Sequence, residues 1–231
     1  MIKKAMILAA GFGKRLKPLT LKNPKPLLKI GQETLLSNTL KFLIEFGVKE
    51  VVINVHYLEK QIVDYINKNQ FSIEITIVKE KDNILDTGGG ILNAINYFDE
   101  AFLCINPDTI WNTSYIKDLE SMTKEFLLKN SKCSMMLVDK NKSFDRSFKG
   151  DFNLENYLIN RKNKNLKYIF TGVQIIKPEL FAGINDKVFS INKIWNKLIE
   201  NDQLHGFESN IDTFLHVSNL DIYNKLIKIK H

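Results

Sequence analysis

Apolar positions in the first half of the chain follow two spacings in turn. Ala5 to Ala10 is an unbroken run of small and aliphatic residues closed by Gly11, which predicts a short strand buried on both faces. Leu36, Leu40 and Leu43 then recur at helical spacing, with Gly47 as a C-terminal stop. Val51–Val55 reads as a strand, and Leu58, Ile62 and Tyr65 mark a helix. Ile73, Ile75 and Ile77 alternate with Glu74 and Thr76, as in a strand with one wetter face. Gly88-Gly89-Gly90 opens a helix carrying Ile91, Ile95 and Phe98, and Ala101–Ile105 is a further buried strand. Strands alternating with helices over short connections predict an α/β fold. Right-handed crossovers then give one doubly wound, mostly parallel sheet with helices on both faces.

Beyond Asp108 the alternation loosens. A helix over Ser114–Leu128 and a strand over Cys133–Val138 are expected. Lys140–Lys167 is polar and reads as an excursion over the sheet edge or a substrate lid, with short strands at Ser147–Leu154 and Tyr157–Ile159. Tyr168–Ile176 is another strand. Ser190 is expected to cap a helix bearing Ile194 and Leu198. Asn219 is expected to cap the last helix, with Leu220, Tyr223 and Ile227 on its buried face. The 231 residues carry no internal repeat and fit a single domain. We divide it into two halves, 1–112 and 113–231.

Charge changes this picture little. The net charge is +7, but only Arg15, Arg146 and Arg161 are arginines and the lysines are spread along the chain. Nucleic-acid readers cluster arginine with aromatics, so a phosphate-rich small substrate is expected and nucleic acid is not. The Ala5–Ala10 run falls far short of the ~20 residues of a membrane span and of a secretory signal core. A cytoplasmic protein without membrane attachment, monomer or homodimer, is the expectation. Cys104 and Cys133 lie in apolar stretches without metal-type spacing, as buried reduced thiols do.

The chemistry concentrates after the first strand. Leu8-Ala9-Ala10-Gly11-Phe12-Gly13-Lys14-Arg15 runs on through Pro18-Leu19-Thr20 to Pro24-Lys25-Pro26. Small residues at the strand end let a ligand approach the backbone, and glycines expose amides to an anion. Arg15 brings a planar fork suited to phosphate oxygens. Lys25 sits between two prolines that stiffen its backbone. A dinucleotide-binding loop needs a third glycine near Leu16, and a Walker A loop needs a glycine five positions before Gly13-Lys14 and a Ser or Thr after it; neither is present.

The segment resembles the nucleotidyltransferase family that makes nucleoside-diphosphate sugars, whose motif G-x-G-x-R-x-x-P-L-T, then P-K-P, is met by Gly11, Gly13, Arg15, Pro18, Leu19, Thr20 and Pro24-Lys25-Pro26. The resemblance implies a Rossmann-like, GT-A-type sheet. It also implies condensation of a nucleoside triphosphate with a sugar 1-phosphate, releasing pyrophosphate. By the same resemblance Arg15 contacts the outgoing pyrophosphate and Lys25 the reacting phosphates, while backbone at Ala10, Gly11 and Gly13 cradles the nucleotide.

Leu85-Asp86-Thr87-Gly88-Gly89-Gly90 resembles the family's base-and-sugar loop, with Thr87, Gly88 and Gly89 lining the nucleotide. The Thr-Gly-Gly-Gly run is similar to one branch, the N-acetylmuramate α-1-phosphate uridylyltransferases of peptidoglycan recycling, as are Asn54 to Leu58, Gly150-Asp151-Phe152 and Phe170-Thr171-Gly172-Val173. That branch implies UTP as nucleotide and places Gly150, Asp151 and Gly172 at the sugar phosphate, which makes 1–112 the nucleotide-binding half and 113–231 the sugar-phosphate-binding half.

Asp108, after the strand Ala101–Ile105, occupies the carboxyl end where such sheets bind ligands, and a carboxylate there can hold Mg²⁺ against triphosphate oxygens. The family usually has glycine where Pro107 stands. It also brings a second metal carboxylate from W-x-D-[IV]-G-T; here Phe214-Leu215-His216-Val217-Ser218-Asn219 corresponds, with His216 in the aspartate's place. Imidazole is a poor ligand for Mg²⁺. Asp212 taking over from a regular strand, Asp108 acting with waters, and weakened catalysis are all open. Two other functions stand beside the main one: a mannose-1-phosphate guanylyltransferase or other sugar-phosphate or phosphocholine nucleotidyltransferase, and a catalytically degenerate nucleotide-sugar-binding protein. His56, His205 and His231 are expected to be structural or merely exposed.

Overall fold

A computed structural model describes residues 2–229, so His231 lies outside the described residues. β1 (Lys4–Leu8) leads through 3-10 turns at Lys14–Leu16, Leu19–Leu21 and Lys25–Leu27 to a two-stranded hairpin, β2 (Lys29–Ile30) and β3 (Glu33–Thr34). There follow α1 (Leu35–Phe46), β4 (Glu50–Val55), α2 (Glu59–Lys68), β5 (Glu74–Lys79), α3 (Asp86–Asn93) and β6 (Phe102–Ile105). Next come α4 (Ser114–Leu128), β7 (Cys133–Asp139), β8 (Asn153–Glu155), β9 (Leu158–Asn160) and β10 (Tyr168–Ile176). The chain closes with α5 (Asn192–Glu200), β11 (Leu204–Glu208) and α6 (Leu220–Ile229).

Among the described residues the main sheet has nine strands in the order β5-β4-β1-β6-β10-β7-β11-β9-β8. β5, β4, β1 and β6 are mutually parallel, and β10 runs antiparallel between β6 and β7. The sheet is thus mixed and mostly parallel, of the Rossmann-like GT-A type. Strand periodicity sorts the core. Ala5, Ile7, Leu103 and Ile105 pack with residues of α1, α2 and α4, whereas Met6, Phe102 and Cys104 pack with residues of α3 and α5. Successive side chains on a strand point to opposite faces, so these two clusters are the two faces of the sheet, each covered by helices. A third cluster holds α6 against Leu16, Leu28, Leu35 and Ile110.

Local signals explain the elements. Thr34 Oγ1 accepts from the Ser37 amide at the start of α1, and Gly47, at φ 98°, ends it by donating to Leu43 and Ile44 carbonyls. The ladder of β1 stops at Leu8 because the Ala9 amide is taken by Asn54 Oδ1 at 2.9 Å. The strand expected to run to Ala10 therefore ends two residues earlier, at Leu8. α3 ends at Asn93, and a 3-10 turn at Ile95–Tyr97 carries the chain on; Ile91 and Phe98 are buried and Ile95 partly so. In α6 the expected face is rotated. Ile222 and Leu226 are buried, Tyr223 and Ile227 are only partly buried against them, and Leu220 stands outside that cluster. The Lys140–Lys167 excursion forms β8 and β9 as a hairpin on the sheet edge beyond β11. No helix among the described residues is long and apolar enough to cross a membrane.

Candidate active site

The carboxyl ends of β1, β4, β5 and β6 surround a cleft of about 380 Å³ whose lining includes Ala10, Gly11, Gly13, Arg15, Lys25, Asn54, Glu80, Thr87 and Asp108. The glycine loop makes one wall. Gly13 takes φ +61°, and its carbonyl accepts from the Leu16 amide at 2.9 Å and from Thr20 Oγ1 at 3.0 Å. A side chain there would meet Thr20 Cγ2 at 2.9 Å and Lys25 Cβ at 3.1 Å, whereas Gly11 has nothing within 4 Å. Gly13 thus seats the lysine, and Gly11 faces open space. The amides of Gly11, Phe12 and Gly13 form no hydrogen bond inside the chain among the described residues, so they stand ready for an anion. Phe12 packs on His56 and Tyr57, and the Tyr57 hydroxyl donates to the Thr20 carbonyl at 2.8 Å.

Lys25 begins a 3-10 turn, with Pro24 extended before it and Pro26 buried after it. Its ammonium donates to Asp108 Oδ2 at 2.6 Å, and His216 Nε2 lies 3.2 Å from the same oxygen. Non-local zippering makes that meeting. The Ile110 amide bonds the Leu215 carbonyl, the Val217 amide bonds the Asp108 carbonyl, and Thr109 bridges His216. Burial pushes the Asp108 carboxyl up, but the Lys25 and His216 charges and hydrogen bonds outweigh it and hold the group well below the usual carboxylate range. Asp108 is therefore an anion at neutral pH. Its second oxygen, Oδ1, is buried and unpartnered among the described residues.

That orphaned oxygen fits a divalent cation. Mg²⁺ is commonly held by one or two carboxylates plus substrate phosphates and water, and Asp108 Oδ1 offers one such ligand. Asp212 is exposed, and the segment around it is no regular strand, only isolated bridges at Phe214 and His216. The structure does not bring Asp212 to the cleft; it brings His216 against Asp108. Ser218, from the same segment, lines the cleft and donates to Asp145 Oδ2 at 2.5 Å.

The second glycine run is placed differently from a ligand-lining loop. It lies within α3, not ahead of it. A side chain on Gly88 would strike the Phe189 ring at 2.4 Å, one on Gly89 the Lys187 carbonyl at 2.2 Å, and one on Gly90 Asn54 Nδ2 at 2.7 Å. The Gly89 amide bonds the Phe189 carbonyl at 3.0 Å, and Thr87 Oγ1 accepts from the Ile191 amide at 2.9 Å. Of this run, Asp86 and Thr87 reach the cleft; Gly88 and Gly89 admit the 187–189 segment behind it.

A smaller pocket of about 180 Å³ shares Leu8, Asp86, Thr87 and Asn106 with the cleft and adds Phe170, Gly172 and Trp195. Gly172, at φ +99°, lets the strand pass Asn106, whose amide bonds the Gly172 carbonyl at 2.8 Å. Gly150 and Asp151 line neither cavity. Asp151 Oδ2 instead accepts from the Phe170 amide at 3.0 Å, and so shapes the pocket from behind.

Sequence reasoning missed the pair Asn54 and Glu80. Asn54 Nδ2 donates to Glu80 Oε1 at 2.7 Å, Glu80 Oε2 accepts from the Leu85 amide at 2.8 Å, and His56 Nδ1 lies 2.7 Å from the Glu80 carbonyl. With the Ala9 amide bonded to Asn54 Oδ1, these links tie the ends of β1, β4 and β5 together. A polar residue inside the apolar run Val51–Val55 was the signal available.

The sequence profile of the family described as Nucleotidyl transferase matches residues 4–148, more than half of the chain. The N-acetylmuramate alpha-1-phosphate uridylyltransferase of Caulobacter vibrioides is 28% identical over 211 residues, 88% of this chain and 87% of that one. The protein of the same name from Neisseria meningitidis serogroup B is 32% identical over 185 residues, 78% of each chain. In three dimensions, HddC from Yersinia pseudotuberculosis superposes over 100% of both chains with a TM-score of 0.78 at 22% identity. The chain belongs to the nucleotidyl transferase family, among the sugar-1-phosphate nucleotidylyltransferases, and is an enzyme of that class.

Proposed function

We propose that the chain transfers a uridylyl group from UTP to N-acetylmuramic acid α-1-phosphate, giving UDP-N-acetylmuramic acid and pyrophosphate, as a step of peptidoglycan recycling. The observation that carries the reading is the meeting of Lys25 and Asp108, 2.6 Å apart, at the mouth of an anion-ready glycine loop. The choice of UTP and of this sugar is supported by the two uridylyltransferase relatives.

The reaction needs no covalent nucleophile. An oxygen of the sugar phosphate attacks the α-phosphorus in line, that bond forms as the bond to the β-phosphate oxygen breaks, and pyrophosphate leaves. The chain contributes positioning and charge neutralisation. Amides at Gly11 and Gly13, with Ala10 beside them, cradle the triphosphate. The Lys25 ammonium offsets charge where the two phosphates meet, and Arg15 follows the departing pyrophosphate. Asp108, with its unpartnered Oδ1, would hold Mg²⁺, which would supply further positive charge to the phosphates. Thr87 stands at the junction of nucleotide and sugar, backed by Gly88 and Gly89. Gly172 shapes the sugar side, with Asp151 behind it and Gly150 next to Asp151 in the chain. The division at residue 112 follows these roles, although Ser218 reaches into the nucleotide cleft and Thr87 into the sugar pocket.

The test is a panel of four nucleoside triphosphates against several sugar 1-phosphates with Mg²⁺, followed by pyrophosphate release. UTP with N-acetylmuramic acid α-1-phosphate should give the highest kcat/KM. Preference for GTP with mannose 1-phosphate would replace this reading by a guanylyltransferase. Thermal stabilisation by UTP without turnover of any pair would make the chain a binding protein.

A further inference from the structure

The small pocket has an aromatic and mostly uncharged lining, with Asp86 its one charged side chain. Phe170 and Trp195 stand edge to face at 5.2 Å, and Asn106, Ser190 and Asn192 add uncharged polar groups. Among the residues that line it there is no Lys, Arg or His. One guanidinium is nevertheless tied to its wall. Arg161 Nη2 donates to Asn192 Oδ1 at 2.8 Å, Nη1 donates to Asn196 Oδ1, and Nε donates to the Asp151 carbonyl at 3.3 Å. Its guanidinium carbon lies 4.4 Å from the Phe152 ring centroid. Asn192 in turn donates to Ser190 Oγ at 3.1 Å, so a polar ladder runs from Arg161 to the pocket.

Arg161 is held entirely by neutral acceptors and a ring. No ion pair joins it to a carboxylate among the described residues; Asp151 offers it a backbone carbonyl, and its charge acts only at a distance. Burial lowers the guanidinium pKa, and Asp151 opposes this only in part. The neighbouring Lys193 is already paired with Asp186. The residue as a whole stays exposed, and Nη1 and Nη2, each with one bonded partner, keep a further hydrogen for a ligand. A guanidinium oriented in advance, without a counter-ion, is a receptor for a carboxylate.

We propose that Arg161 is a specificity-determining residue: it receives a carboxylate carried by the sugar and selects an acidic sugar 1-phosphate over its neutral counterpart. The inference rests on the cleft taking a sugar 1-phosphate, as argued above, and adds which group reads the sugar. N-acetylmuramic acid carries such a carboxylate on its lactyl ether, and N-acetylglucosamine is the same ring without it.

The experiment measures kcat/KM for both sugar 1-phosphates with UTP in the unaltered protein, Arg161→Gln and Arg161→Lys. The ratio of acidic over neutral sugar should fall about 10- to 100-fold in Arg161→Gln, as expected for loss of a charged hydrogen bond. The loss should appear in KM for the acidic sugar. Arg161→Lys keeps the charge without the fork and should lie between. Each ratio is taken within one protein, so a partly unfolded fraction cancels. An unchanged ratio in Arg161→Gln overturns the assignment, while turnover of either sugar leaves nucleotidyl transfer standing. No turnover of either by the unaltered protein overturns that reading, and this one with it.

Discussion

Alanine at Gly11 and alanine at Gly13 should separate two jobs within one loop. At Gly13 the backbone sits at φ +61°, where a non-glycine residue costs about 1–2 kcal/mol. The new methyl would also lie 2.9 Å from Thr20 Cγ2 and 3.1 Å from Lys25 Cβ, and forcing such a contact adds roughly 1–3 kcal/mol. The sum, about 2–5 kcal/mol, corresponds to a fall in Tm of about 4–20 °C for a chain of this size. At Gly11 nothing stands within 4 Å. Stability should therefore hold within about 0.5 kcal/mol. The same methyl would project into the space assigned to the triphosphate, and UTP affinity should drop at least ~10-fold, about 1.4 kcal/mol. Urea denaturation gives the first pair of numbers and calorimetric titration with UTP the second. Equal stability of the two variants, or unchanged UTP affinity in Gly11→Ala, would refute the division.

Three further outcomes follow from particular contacts. Gly89→Ala, facing the Lys187 carbonyl at 2.2 Å, should loosen the segment that closes behind α3; hydrogen exchange at 187–191 should rise well above that of β1, and uniform exchange would count against the packing role. Asp108 and Asp145 both have folded pKa values below the ordinary 3.8. Burial raises each, but Lys25 and His216 at Asp108, and Ser147 and Ser218 at Asp145, prevail. The unfolded chain thus binds more protons in acid. The stability that these groups contribute is present above about pH 4 and is lost as pH falls below it. Urea midpoints in metal-free buffer should decline over that window, and a flat profile would oppose it. Burial pushes the Cys104 thiol up to about 12 and raises Cys133 as well, with Cys104 as a neighbour. A thiol reagent should therefore label neither in the native protein and both in urea.

The frame was legible because it is written in local patterns. The spans of α4 and β10 could be read from apolar spacing alone, and the turn at Gly11–Lys25 from glycine and proline. What escaped depends on contacts distant in sequence. β11 hides because its Gly206 leaves room for Leu154 and Ile159, both within 3.0 Å of where a side chain would begin, and glycine reads as a break rather than a strand. β2 and β3 are two residues each, too short for any period to register. The triple glycine has a ligand loop's spelling, yet each glycine answers to a neighbour, Phe189, Lys187 or Asn54, that no local window contains. The same holds for His216 and Arg161: one meets Asp108 across 108 positions, and the other is fixed by Asn192 and Asn196 on a helix that follows it.

The central claim is that the ammonium of Lys25, seated by Gly13 and set against Asp108, neutralises the phosphates at the point of transfer. Single-turnover pyrophosphate release from saturating UTP and sugar 1-phosphate, in the unaltered protein and in Lys25→Ala, tests it most directly. Loss of a preorganised charge at the reacting group predicts a fall of about 10²–10³ in the rate of the chemical step, with the circular-dichroism melt still cooperative. A rate in Lys25→Ala within twofold of the unaltered protein would contradict the account.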